Sequence, residues 1–136
     1  MQIRPFICQD TADVTSLWQN VLPDDRPHNQ PLTVINNKLA AQDNLFFVAE
    51  ENTAVIGTII AGYDGHRGWL YAVAVGPPFR NKGIGKQLVE HAVQALQGLG
   101  CLKVNLQIRA DNTQVVDFYK SLGFEIEDRV SMGKLL

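Results

Sequence analysis

PPFRNKGIGKQL, residues 77–88, is the stretch on which the reading of this chain turns. The apolar run Leu70 to Val75 before it reads as a strand, which Pro77 and Pro78 prevent from continuing. From about Gly83 to Gly98, Ile84, Leu88, Val89, Ala92, Val93 and Leu96 recur at helical spacing. Gly83 and Gly85 let backbone amides approach a ligand where this helix begins, and the helix dipole points at the same spot. No Asp or Glu occurs from Gly65 to Val89, whereas Arg67, Arg80, Lys82 and Lys86 lie within that span. The local field favours an anion, with phosphate the natural one. A solvated basic turn is the competing reading of the turn by itself. A P-loop is excluded because Gly85-Lys86 is followed by Gln87 and the first glycine position holds Arg80. A dinucleotide fingerprint fails at Leu88, where a third glycine is required.

Outward from this turn, 136 residues with 46% hydrophobic content suffice for one core, so residues 1–136 are expected to form a single domain. A formal net charge of -2 supplies no broad footprint for nucleic acid or acidic lipid, and any anion site must be local. Cys8 and Cys101 fit no metal spacing and are expected to be reduced thiols, with no metal bound. The start MQIRPFICQD lacks a signal-peptide core and no apolar run reaches membrane-spanning length. A cytoplasmic protein with no membrane partner is expected.

A short strand is expected around Ile3, then a helix in DTADVTSLWQNVL with Val14, Leu17, Trp18 and Val21 inward and Asp10 as its cap. Pro31 suits the first turn of a second helix carrying Leu32, Ile35 and Leu39. LFFVAE and AVIGTIIAGY, joined by Glu51 to Thr53, predict an antiparallel hairpin, and YDGHRG turns the chain into WLYAVAV. After the long helix come a strand in LKVNLQIR, a short helix in DNTQVVDFYKSLGF closed by Gly123 with Phe124 as its apolar contact, and a last strand or hairpin in EIEDRVSMGKL.

Arg80-Asn81-Lys82-Gly83-Ile84-Gly85 resembles the Arg/Gln-x-x-Gly-x-Gly/Ala pyrophosphate loop of the GNAT superfamily of N-acetyltransferases. NTQVVDFYKSLGF is similar to that family's second signature, Asn…Tyr-x-x-x-Gly-Phe, and the order of elements agrees over nearly the whole chain. The YDGHRG hairpin is also similar to that of small bacterial acetyltransferases of this superfamily. The resemblance implies an α/β (α+β) acyl-CoA N-acyltransferase fold, with a mixed, mostly antiparallel sheet flanked by about four helices. It also implies acetyl-CoA as cosubstrate. A bulged strand matching Tyr71 to Val75 would offer backbone groups of Val73, Ala74 and Val75 to the pantetheine arm. Amides of Asn81, Lys82, Gly83, Ile84, Gly85 and Lys86, with Arg80 and the lysines, would hold the pyrophosphate. Asn112 and Tyr119, seven residues apart, share a helix face. Asn112 is read equally as a helix cap or a coenzyme contact. Tyr119 matches the family tyrosine that reaches the coenzyme sulfur and would act as general acid; a half-buried aromatic is its plain structural reading.

The general base is where the sequence departs from better-known members, because Trp69 stands where lysine-acetylating enzymes often carry Glu. For a lysine-like amine of pKa 10.4, recovering the neutral form at pH 7 costs about 4.6 kcal/mol, against roughly 1.4 for an α-amino group. A weaker amine therefore tolerates a weaker base. Asp64 and His66 are the base candidates, with Glu50 or Tyr71 as substitutes, although solvated or structural roles compete for each. Asp24 and Asp25 are candidates to attract a cationic amine. The expected activity is acetyl transfer to a primary amine of a small molecule, peptide or protein by direct attack. The alternative is a non-catalytic acyl-CoA-binding regulatory module, which the missing strand Glu favours and Tyr119 opposes. Nucleic acid is disfavoured as a partner by charge, and a last strand pairing between chains would give a homodimer.

Overall fold

The expected hairpin consists of β2 (Phe46–Glu51) and β3 (Ala54–Tyr63), closed by Asn52 and Thr53, whose φ values are 50° and 64°. Two successive left-handed residues are the twist-matched way to join antiparallel strands. The computed structural model describes residues 1–136. They fall into two compact units, Met1–Leu106 and Gln107–Leu136.

In the first unit, β1 (Gln2–Pro5), β2, β3, β4 (Gly68–Val75) and β5 (Val104–Asn105) form one sheet in chain order. All neighbours are antiparallel except β4 and β5, which are parallel. On one face, α1 (Thr11–Val21) and α2 (Pro31–Ala41) help to build a core of Val14, Leu17, Trp18 and Ile35 with Phe46, Val48, Ile60 and Ala74. On the other face, α3 (Ile84–Gly98) lays its apolar stripe of Ile84, Leu88, Val89, Ala92 and Leu96, all buried. Its close approach is visible at Gly68, where any Cβ would stand 2.9 Å from Leu96 Cδ1. His91 meets the Phe47 ring edge-on at 4.6 Å.

Alternation along a strand assigns each residue to a face, and β4 breaks that alternation. Gly68 faces Leu96 of α3, yet Ala74, of the same parity, belongs to the core under α1 and α2. An odd number of residues must therefore have been inserted between them. The pairing agrees: Ile60 opposes Tyr71 and Thr58 opposes Ala74, so β4 uses one residue more than β3. The bulge lies at Ala72, whose φ is 49°.

The second unit contains α4 (Thr113–Ser121), which ends with Gly123 at φ 93°. The Phe124 amide bonds the Tyr119 carbonyl at 3.1 Å and the Phe124 ring packs edge-on against Tyr119. This is the glycine closure and apolar contact that the sequence predicts.

Four expectations are corrected. Asp10 does not cap α1: Oδ2 accepts the Ile7 amide at 2.9 Å, and both carboxylate oxygens accept from Arg4 at 2.8 and 2.9 Å. The guanidinium of Arg4, also paired with Glu50, competes for that carboxylate and holds its pKa below the usual range. Leu32 and Leu39 are exposed, leaving Ile35 as the buried residue of α2. The strand expected in residues 102–109 shrinks to Val104–Asn105. Residues 125–136 form no strand, and Ile126, Val130 and Met132 are exposed, because an alternating pattern becomes a strand only where another strand's edge receives it. No helix is long and apolar enough to cross a membrane.

Candidate active site

The turn after β4 has the shape that its sequence demands. The Gly76 amide bonds the Ile56 carbonyl at 2.8 Å, the last tie to β3. Pro77–Phe79 then form a single 3-10 turn. Arg80 is extended, and its Nε donates to the Val75 carbonyl at 3.2 Å, bracing the loop against the strand end. Asn81 and Gly83 are left-handed, at φ 62° and 79°. Asn tolerates that region, and glycine takes it without steric cost. Gly83 is the residue before α3, and no side chain caps the helix. Gly83 is exposed, and nothing lies within 4 Å of where its Cβ would be, so the space beside the first turn is open.

Cations surround this opening. Arg80, Lys82 and Lys86 are exposed. Lys82 Nζ sits 5.9 Å over the Phe79 ring, and Lys86 lies 3.9 Å from Glu90, one turn along α3. Exposed pairs of this kind are weak enough to yield to an incoming anion.

Val73, Ala74 and Val75 follow directly on the bulge. Pairing between β4 and β5 involves only Gly68 with Val104 and Trp69 with Asn105. From Leu70 onward, β4 has no partner strand on its β5 side. A bulge followed by an unpaired edge is an arrangement that can accept an extended, amide-bearing ligand.

In the second unit, Asn112 Oδ1 accepts the Val115 amide at 3.4 Å, so this side chain acts as the cap of α4. Tyr119 is buried, with edge-on contacts to Phe118 at 5.0 Å and Phe124 at 5.5 Å between centroids. Burial pushes its phenol up to about 12, keeping it protonated throughout the neutral range.

The β3–β4 hairpin tip holds the base candidates. Asp64 Oδ1 accepts the amides of His66 at 2.8 Å and Arg67 at 2.7 Å. These bonds, that from Arg67 first, lower its pKa and make it a poor proton acceptor. His66 is exposed. The Tyr71 phenol is pushed up by burial and then by the Asp64 charge, and Glu50 is bound to Arg4. Asp24 is occupied in its own loop, accepting from the Arg26 amide and from Asn29 Nδ2, both at 2.9 Å. Asp25 is exposed. No three His, Cys, Asp or Glu side chains come together as a metal-binding group. Sequence reading passed over Thr58, whose hydroxyl donates to the Ala72 carbonyl at the bulge; it belongs to no motif, and no local signal marks it.

A sequence model of the Acetyltransferase (GNAT) family matches residues 11–124. An acetyltransferase of Yersinia enterocolitica is 38% identical over 138 aligned positions, covering 100% of this chain and 96% of the relative. Among solved structures, Ard1 from Thermoplasma volcanium superimposes with a TM-score of 0.81 at 26% identity, over 93% of this chain and 83% of that one. PaiA N-acetyltransferase from Thermoplasma acidophilum, solved in complex with coenzyme A, gives a TM-score of 0.81 at 21% identity over 95% and 92% of the two chains.

Proposed function

The chain belongs to the acetyltransferase (GNAT) family, and we propose, from that premise, which of its residues carry the reaction. It is an acetyl-CoA-dependent N-acetyltransferase whose acceptor bears an amine. The reading as a non-catalytic coenzyme-binding module is set aside accordingly. Residues 1–136 are taken as one acetyltransferase domain, in keeping with a family match that runs through both compact units.

In this reading, the pyrophosphate of the coenzyme rests on the amides of Asn81 to Lys86, with Arg80, Lys82 and Lys86 neutralising its charge. The observation that carries it is the start of α3, where a left-handed Gly83 and a first turn without a side-chain cap open to solvent among those cations. Unpaired amides at a helix N-terminus suit a phosphate anion. The pantetheine arm lies along the unpaired edge of β4, pairing with the backbone of Val73, Ala74 and Val75.

The acceptor amine, once neutral, attacks the thioester carbonyl. The nitrogen–carbon bond forms, the carbon–sulfur bond breaks, and the sulfur leaves as thiolate. Tyr119 is the acid for that thiolate. A phenol near 12 facing a thiol near 8.5 gives up its proton only in part, so most of its effect is a hydrogen bond to developing negative charge. His66 is the better base candidate, acting directly or through water, because the carboxylate of Asp64 is committed to the hairpin turn. Without a carboxylate base, an amine of lowered pKa is the fitting acceptor, whether on a small molecule, peptide or protein. A cytoplasmic location fits two free cysteines, Cys8 and Cys101.

The test is an amine panel incubated with acetyl-CoA, following release of free thiol. Amine-dependent thiol release is expected, with α-amino acceptors ahead of lysine-like amines. Acetyl-CoA should also raise the melting temperature well beyond any effect of ATP, because its contacts exist only in the folded chain. Equal shifts with the two ligands would remove the coenzyme assignment of the α3 loop.

A further inference from the structure

The bulge in β4 is held from beneath by two side chains distant in sequence. Trp18, on α1, donates its Nε1–H to Thr58 Oγ1 at 2.9 Å, and Thr58, on β3, donates its hydroxyl to the Ala72 carbonyl at 2.8 Å. The direction of this chain is fixed by chemistry. Indole nitrogen can only donate, so the Thr58 oxygen accepts from it and the single Thr58 proton is left for Ala72. Thr58 is 0% exposed and Trp18 4% exposed, so water does not substitute for the bond between them.

The carbonyl that receives this bond is the one at the irregularity. Ala72 falls between the pairs Ile60–Tyr71 and Thr58–Ala74, outside the regular ladder, and its φ of 49° is one that alanine adopts at a steric cost. A half-buried carbonyl outside the ladder lacks a strand partner, and a left-handed alanine needs something to hold it there. The Thr58 hydroxyl meets both needs. Removing the extra residue from the register would turn one half of β4 over, exchanging the side that meets α3 for the side that meets α1.

We propose that Trp18 and Thr58 are positioning residues for acetyl-CoA: their hydrogen-bond chain onto the Ala72 carbonyl fixes the β4 bulge and so presents the backbone of Val73 to Val75 to the coenzyme. This rests on the reading of β4 as the coenzyme-binding edge. The lock itself is a property of the chain without ligand and can be examined separately.

Thr58→Val keeps the shape of the side chain and deletes the hydroxyl. Coenzyme A affinity, measured by titration calorimetry, should fall about tenfold, as when only a tenth of the molecules hold the competent register. Amide hydrogen exchange at residues 72–75 in the free protein should quicken. Thr58→Ser should retain the parental values. Ala72→Gly in the Thr58→Val background should recover most of the affinity and slow the exchange, because glycine takes the left-handed conformation unaided. A packing role for Thr58 would give no such recovery. If Thr58→Val fails to fold, Trp18→Phe with and without Ala72→Gly replaces it, with the same pattern expected. Unchanged exchange and affinity in a folded Thr58→Val, or losses that Ala72→Gly does not repair, would overturn the proposal. Should the parent chain bind no coenzyme A, the coenzyme edge is wrong and the proposed role falls with it, while the exchange data still decide whether the bulge is locked in this way.

Discussion

Helices α3 and α4 begin in opposite ways. The start of α4 is closed by its own sequence, with Asn112 accepting the Val115 amide. The start of α3 has no side-chain cap, follows a left-handed glycine, and lies among exposed Arg80, Lys82 and Lys86. Further along, α4 carries a buried phenol held between two aromatic rings, whereas the outer side of α3 is charged and solvated. A helix end that satisfies its own amides is finished as structure; one that does not leaves them to solvent or to a ligand. Under the proposed function, this difference assigns coenzyme binding to α3 and the proton donor to α4.

That division is most severely tested at Gly83. Gly83→Val puts a β-branched residue at φ 79° and a side chain over the first-turn amides, and coenzyme affinity should fall by roughly 10²-fold or more. The fold should survive, because the new Cβ meets nothing within 4 Å and the strain of a left-handed valine costs only about 1–3 kcal/mol. Unchanged affinity by calorimetry in a folded variant would end the role of α3. Tyr119→Phe should do the reverse: single-turnover rates at saturating acetyl-CoA should drop roughly 10- to 10²-fold, the worth of one hydrogen bond to a charged group, with affinity little changed. A loss confined to affinity would break the division from the α4 side.

Two smaller effects sharpen it. Because the Tyr119 phenol is near 12 in the folded chain and near 10 in the unfolded one, the unfolded chain loses that proton first as pH rises. The parent should therefore lose on the order of 2 kcal/mol of stability between pH 10 and 12 beyond any loss in Tyr119→Phe, read as the difference between their urea midpoints. Parallel curves would mean that the phenol is wetter than the folded chain indicates. Asn112→Ala should cost about 1 kcal/mol of stability, as loss of a cap does, with coenzyme affinity nearly unchanged. A marked fall in affinity would show Asn112 serving the coenzyme as well as its helix.

The sequence by itself determined whatever is settled within a few residues. The prolines that end β4, the left-handed Gly123 and the buried stripe of α3 each depend on local sterics or on one helical period. The cationic loop was legible for the same reason, since a net charge of -2 makes a long acid-free run stand out. Tertiary structure decided the rest. Asp10 looks like a helix cap until β1 brings Arg4 to it, and its two oxygens are then engaged by the guanidinium fork and the Ile7 amide. Asp64 looks like a base until the hairpin closes and one of its oxygens accepts two backbone amides, which lowers its pKa. Residues 125–136 alternate as a strand would, yet alternation cannot supply the edge that makes one. The bulge is the clearest case. Nothing about Ala72 announces a left-handed residue; its conformation follows from covering both faces of β4 with different helices, and from a hydroxyl and an indole that lie 14 and 54 positions earlier in the chain.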